Sequence, residues 1–356
     1  LALIQRLNVE GLRNLRSLIC EPAEKTTIIW GENGAGKTAI LEAVYLLATG
    51  RSFREHRLAV CQQWQSNQMM VFAQVVSASG EHRLGWQRQS QETHLRVDGQ
   101  AVSSQAAIAP YLPVQVFAPD YQDAWVQGPA ERRKFMDWGA FYTAPDFMSA
   151  WRHYQQALRQ RNQALKLKLS DQEIALWHQP LWQSAMRLDA IRRAYVQRLL
   201  PIIADYAPRV SDALQGLGLH YHTGWAQDGD LLVHWETHIE QDRLMGFTQA
   251  GPHRADLKFK VDGKDALSVL SRGQQKLLAF LLLLVQTLDL TQHTAETPIL
   301  LLDDLSAELD TVHRERVLAL LPELNCQCFL TTTNARQFDQ VSDAVYWQMS
   351  QGVLVS

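Results

Sequence analysis

Cysteine is scarce in this sequence: 356 residues contain four, Cys20, Cys61, Cys326 and Cys328, and none forms a CxxC pair. That spacing excludes a disulfide framework and leaves buried small thiols in a reducing compartment as the expectation. Long apolar runs are also missing. The richest, Leu277 to Val285, is well below the roughly 18–20 residues that span a bilayer. No lipidation or retention signal is visible, and the opening "LALIQRLNVEGLRNLRSL" alternates and carries charge early, unlike a signal peptide. A soluble, cytoplasmic protein is expected. Neither sign of charge dominates, with 34 Lys and Arg against 37 Asp and Glu and a net charge of −3. Any contact with nucleic acid must therefore come from a local basic surface. Glycine (19) and proline (12) are too few for a fibrous or disordered chain. What remains is 46% hydrophobic, enough to bury a large core in one or two domains.

The pattern along the chain changes twice. Leu1–Val9 alternates as a strand, and "TTIIW" (Thr26–Trp30) is a short buried strand that runs into a glycine-rich turn. From Lys37 the period becomes helical, with Ile40, Leu41, Val44 and Leu47 on one face and Gly50 as the C-cap. Antiparallel strands follow around Met69–Ser77, His82–Gln87 and Thr93–Val97, then a short strand in "PVQVFAP". From about Tyr121 the composition turns helical and rich in Gln, Trp and Arg. After Phe247 strands return, in "ADLKFKVDG", "PILLLDD" and "CQCFLTTT", before a closing hairpin. Strand–helix alternation at both ends predicts an α/β fold assembled from N- and C-terminal segments around a helical inserted lobe. The expected division is 1–120, 121–244 and 245–356.

Gly31-Glu32-Asn33-Gly34-Ala35-Gly36-Lys37-Thr38 matches GxxxxGK[ST], directly after a buried strand and at the start of a helix. Glycines let such a loop curl so that its N–H groups face a polyphosphate, and the helix N-terminus adds its positive end. Lys37 then reaches the β- and γ-phosphates of ATP, and Thr38 offers its hydroxyl to Mg²⁺. Residue usage makes the spacing a chance event in roughly 1% of chains of this length. A P-loop predicts a second apolar strand ending in an acid, and Ile299–Leu302 followed by Asp303 and Asp304 supplies it. Asp303 is the expected metal partner, and Asp304 the group that orients and deprotonates an attacking water.

Together the P-loop, "LSRGQQK" and "LLLDDLSAELD" resemble the ATP-binding-cassette ATPases of the SMC and Rad50 group. "GLRNL", "GPAERRKFMDWG", "AGPHRADL" and "LSRGQQKLL" are similar, more narrowly, to the RecF family of bacterial recombination mediators. The resemblance implies two heads that dimerise on ATP, each nucleotide lying between one P-loop and the partner's signature segment. Ser271 and Gly273 would thus meet the γ-phosphate in trans, and Ser306 to Asp310 would cross the interface. Arg13 in "GLRNL" is expected near the phosphates. Transporter cassettes usually carry Glu at the place of Asp304 and a switch His after the strand Cys326–Thr333, where this chain has Thr332, Thr333 and Asn334. A shorter carboxylate and hydroxyls that take up no proton at neutral pH point to a slow ATPase used as a switch. The glutamine-loop residue is left between Gln115 and Gln122.

The implied function is ATP-driven homodimerisation on gapped or single-strand/double-strand junction DNA. Cooperation with RecO and RecR would then load RecA, within recombinational repair and the SOS response, on the nucleoid. The alternative is a cassette that energises a membrane transporter; the missing switch His and the basic insertion weigh against it. An ATPase–nuclease is a third reading, but no acidic cluster of nuclease kind follows the cassette. For DNA contact, the insertion offers Arg132, Arg133, Lys134, Arg152, Arg159, Arg161, Lys166, Lys168, Arg187, Arg192, Arg193 and Arg198 among aromatics. A solvated helix face with core aromatics is an equal reading. Arg132 and Arg133 in "GPAERRKF", and His253 and Arg254 in "AGPHRADL", are assigned to DNA contact or an interface. His234 and His238 sit at i and i+4, but the Glu offset is wrong for HExxH and a surface helix explains them.

Overall fold

The strand Thr26–Trp30 is the piece around which the nucleotide-binding part is built. In the computed structural model, which describes residues 2–119, 128–226 and 229–355, it lies inside a six-stranded sheet. The order is Val353–Val355, Ala344–Ser350, Thr26–Trp30, Cys328–Thr332, Ile299–Leu302, Val114–Phe117. Every pairing is parallel except the closing hairpin. Val114–Phe117, Ile299–Leu302 and Cys328–Thr332 are buried along their whole length, which explains their continuous apolar character. Because the strands are parallel, the loops after Trp30, Leu302 and Thr332 leave the same edge of the sheet. That edge is where ligands bind in open α/β sheets.

A second, antiparallel sheet runs Leu15–Cys20, Leu3–Leu12, Gln68–Ser77, Gly80–Gln89, Glu92–Val97, Gln100–Val102. Along Gln68–Ser77 burial alternates, with Met69, Val71, Ala73 and Val75 turned to the core. The helix Lys37–Thr49 touches strands of both sheets. Ile40, Leu41, Val44 and Leu47 have no exposure, so cutting Leu41 to Ala would cost roughly 2–5 kcal/mol. Gly50 ends the helix in the left-handed region, φ 69°, and its N–H donates to Leu46 O at 2.8 Å.

Contacts divide the chain into Leu1–Ala124, Arg209–Ala213 and Ser271–Ser356 on one side, and Trp125–Pro208 with Leu214–Leu270 on the other. The second unit holds the helices Pro129–Thr143 and Phe147–Lys166 and most of His178–Val210. It also has its own three-stranded sheet, Lys264–Asp265, Asp256–Val261, Leu217–His222. Here the structure departs from the pattern-based division at 244/245. Leu217–His222, in a stretch expected to be helical, pairs along its length with Asp256–Val261. A strand must find backbone partners, and this one finds them about forty residues later, which carries 256–270 into the second unit.

Candidate nucleotide site

Glycine geometry builds the loop. Gly31, Gly34 and Gly36 have φ of 154°, 79° and 108°, conformations that side-chain-bearing residues rarely adopt. A Cβ on Gly31 would lie 2.3 Å from Met349 O, and one on Gly36 2.9 Å from Asn14 Oδ1; Gly34 has open space beside it. Asn14 Nδ2 donates to Gly34 O at 2.9 Å, and Gly352 N–H donates to Ala35 O at 2.8 Å, bracing the loop from outside. Gly31, Glu32 and Asn33 lead the chain round, and Gly36 opens the helix that starts at Lys37.

A cavity of about 210 Å³ faces this loop, lined among others by Asn33, Gly34, Ala35, Gly36, Lys37, Thr38, Asp304 and Thr331. Lys37 Nζ donates to Gly31 O and Glu32 O at 2.8 and 2.9 Å. Burial lowers its pKa from the usual lysine value, against the attraction of Asp304 and Asp303. Thr38 Oγ1 and Thr331 Oγ1 both donate to Asp303 Oδ1, at 2.8 and 2.7 Å. Burial raises the Asp303 pKa despite those two hydroxyls. Asp303 so placed offers a hard oxygen ligand beside the Thr38 hydroxyl, and the glycines leave the loop bare of side chains where a polyphosphate would approach. The residues therefore fit Mg²⁺ and a polyphosphate: Thr38 and Asp303 would hold the metal, which would supply charge neutralisation. Asp304 stands at the left-handed φ of 48°; its N–H donates to Thr331 Oγ1 at 2.9 Å and its Oδ1 accepts from Ser306 at 3.3 Å.

Thr331 and Arg54 are the residues pattern reading missed. Thr331, one position before Thr332, fixes both acids at once. Thr332 is buried and contacts Ser306 at 3.2 Å, while Asn334 caps the following turn. Arg54 lines the cavity and attracts Asp303; nothing in a loop basic residue marks it in advance. Arg13 also lines the cavity, but its guanidinium is held by both oxygens of buried Glu42, each at 2.7 Å. Gln115 is no glutamine-loop residue: it is buried and donates to Gln286 Oε1 at 2.9 Å. Gln122 lies outside the described residues.

The signature segment is separate from this cavity. Ser271 caps the helix Arg272–His293 in a capping box, accepting from Gln274 N–H, while its own N–H donates to Gln274 Oε1 at 2.8 Å. Ser271 and Gly273 are exposed, a Cβ on Gly273 would meet nothing within 4 Å, and neither residue lines the P-loop cavity. Lys276 pairs with Glu308 at 2.6 Å, tying the helix to the segment after the acid strand.

Several bases assigned to DNA contact serve the second unit internally. Arg132 binds both oxygens of Asp256 at 2.8 and 3.0 Å, and Arg133 donates to Ala255 O at 2.8 Å. Arg161, wholly buried, pairs with Asp242 at 2.7 Å, and Arg192 pairs with Asp137 at 2.7 Å. His253 is not an exposed base: Tyr154 OH lies 2.6 Å from Nδ1, and burial pulls its pKa down to about 4. Arg254 is exposed with its guanidinium over Phe247. These corrections share one cause: an Arg or His in a helical layer is consumed by a carboxylate or carbonyl that the fold delivers from far along the chain. His234 and His238 stack at 4.1 Å between ring centres.

The P-loop, its acid strand and the capped signature helix define an ATP-binding-cassette ATPase head. The family model for the RecF/RecN/SMC N terminal domain matches residues 3–354. The chain is 38% identical to the DNA replication and repair protein RecF of Hydrogenovibrio crunogenus, over 99% of this chain and 98% of that protein. It is 41% identical to the protein of the same name from Stutzerimonas stutzeri, over 93% and 90%. The chain belongs to the RecF family. A solved structure described as the recombination mediator protein RecF-ATPrS in the RecFOR pathway superposes with a TM-score of 0.85 at 25% identity, covering 99% and 97%. An Smc head domain from Pyrococcus furiosus shares the fold, with a TM-score of 0.63 at 15% identity over 99% and 95%.

Proposed function

We propose that the chain is an ATP-switched DNA-binding protein of replication and recombinational repair, a slow ATPase that works as a homodimer. The observation that carries this is a half-built site. Lys37, Thr38 and Asp304 line one cavity and Asp303 is bonded to Thr38, while Ser271 and Gly273, exposed at the start of the signature helix, line none of it. A second copy would supply that edge: a hydroxyl, a bare glycine and a helix N-terminus make an anion site for the γ-phosphate. Lys37 would neutralise the phosphates and Asp304 would take the proton of the attacking water. Thr331 orients the acids but accepts no proton, consistent with slow turnover. The curated relatives' name, DNA replication and repair protein RecF, supports a DNA partner in gapped or junction form. The pathway in a solved neighbour's description, RecFOR, supports cooperation with RecO and RecR, and the motif resemblance to the family extends this to RecA loading and the SOS response. Family membership disfavours the transporter cassette.

The test is to follow sedimentation and the anisotropy of a gapped duplex together, with and without ATP and Mg²⁺. Dimer formation and DNA affinity are expected to rise together with ATP, and Lys37→Met to remove both rises. A wild-type protein whose DNA affinity ignores ATP would refute the switch.

A further inference from the structure

The helix that opens at Lys37 carries a buried acid one turn further on. Glu42 follows Thr38 at i+4, so both lie on one face of Lys37–Thr49. Glu42 has no exposure, a placement that carboxylates take only when paired. Arg13 Nε and Nη2 donate to its two oxygens at 2.7 Å each, and Ser52 Oγ and Cys61 Sγ both donate to Oε1. Burial pushes the Glu42 pKa up, but the bonds from Arg13 and Ser52 hold it below the usual glutamate value. The carboxylate is therefore charged at neutral pH. Ser52 carries the clamp onward: its Oγ accepts the N–H of Arg54 at 3.0 Å and that of Glu55 at 2.9 Å. That fixes the backbone from which the Arg54 side chain extends.

Arg13 and Arg54 both line the phosphate cavity, and one carboxylate sets both, Arg13 directly and Arg54 through Ser52. Arg13 stands at a left-handed φ of 54°, a conformation that a residue with a side chain holds only where its surroundings fix it. Its backbone N–H is tied to Cys61 O at 2.7 Å. Arg54 is exposed, and its charge bears on both Glu42 and Asp303. It is thus on the acid side of the cavity, where the metal would join the β- and γ-phosphates. A buried ion pair remote from a ligand serves the fold alone; this one ends in two groups of the cavity wall. We infer that Glu42 is a positioning residue for nucleotide recognition, setting Arg13 and, through Ser52, Arg54 against the phosphates so that ATP is favoured over ADP. This rests on the ATP-switch reading above and deepens it. The loop holds the phosphates that both nucleotides share, and the Glu42 relay serves the one that only ATP has.

The experiment measures ATP and ADP affinity by calorimetry, each with Mg²⁺, on wild type, Ser52→Ala, Ser52→Thr and Glu42→Gln. Melting curves without nucleotide are the folding control. Ser52→Ala cuts the relay at a half-buried residue and leaves the Arg13 pair in place. It should weaken ATP binding by about fivefold, the worth of one hydrogen bond, and leave ADP within about twofold of wild type. Ser52→Thr keeps the hydroxyl and the wild-type preference for ATP. Glu42→Gln, which loosens Arg13 as well, should weaken ATP at least as much; where it does not fold, Ser52→Ala decides alone. A loss of ATP affinity no larger than the loss of ADP affinity overturns the inference, and the network then only braces the fold. A wild type that binds ATP no better than Lys37→Met overturns the nucleotide site itself.

Discussion

At the scale of single residues, one hydroxyl organises the chemistry. Thr331 Oγ1 donates to Asp303 at 2.7 Å and accepts from the Asp304 N–H at 2.9 Å, so it holds in one register the two acids to which the proposed function gives the metal and the attacking water. Thr331→Val keeps the β-branched shape and deletes both bonds. Loss of a buried hydrogen bond costs about 1–3 kcal/mol, and here the loss falls on groups that act after nucleotide has bound. Single-turnover hydrolysis is expected to slow by roughly tenfold or more while ATP affinity changes little. If the rate stays at the wild-type level, Thr331 only packs. The P-loop residues were legible in sequence because backbone chemistry forces glycine there. Thr331 was not, because a buried strand of five residues reads the same whichever hydroxyl faces the acid.

At the scale of an element, the signature helix has two functions at its first turn. Ser271 stabilises the helix through the capping box, a contribution of about 1 kcal/mol, and presents the same edge to a phosphate in the proposed dimer. Two substitutions separate the roles. Ser271→Ala should lower stability by about 1 kcal/mol and impair ATP-driven dimerisation with nucleotide binding retained. Ser271→Asn, an equally good cap, should restore the melting temperature and still dimerise poorly in sedimentation. Dimers as tight as wild type in both would remove Ser271 from the interface. The apolar face of Leu277 to Val285 was readable from its period, and all nine residues are buried. Gln115 shows the opposite: a polar residue in an apolar strand suggests function, yet it is satisfied by Gln286.

At the scale of the whole molecule, two units with different polar interiors should respond differently to acid. In the second unit, burial chiefly pulls His178 and His253 down to about 4 from 6.5. Arg161 opposes protonation of His178, and Arg254 and Arg133 that of His253; Asp242 pulls the other way on both. The unfolded chain takes up these protons first, so the stability they contribute is complete above pH 6.5 and is lost as pH falls toward 4. The upper limit is about 3 kcal/mol per histidine. Circular-dichroism melts from pH 7 to 4.5 should show this loss, and His253→Gln should flatten it by about one proton's worth. A melting temperature that ignores pH across that window would mean the histidines are not held neutral.

The sequence by itself determined the phosphate loop, its partner acids, the capped signature segment and the α/β frame. Each is a local pattern with a local physical cause: glycine for a backbone that must curl, an apolar strand for a site that must be buried, a hydroxyl for a helix start. Tertiary structure alone decided which polar residues are free. Arg132, Arg161, Arg192 and His253 look alike in sequence to any DNA-contacting base, but partners far along the chain satisfy them. It also placed Leu217–His222 beside Asp256–Val261, aligning histidines and lysines that no periodicity connects. A buried charge must find its counter-charge in space, and only the folded chain fixes where that is.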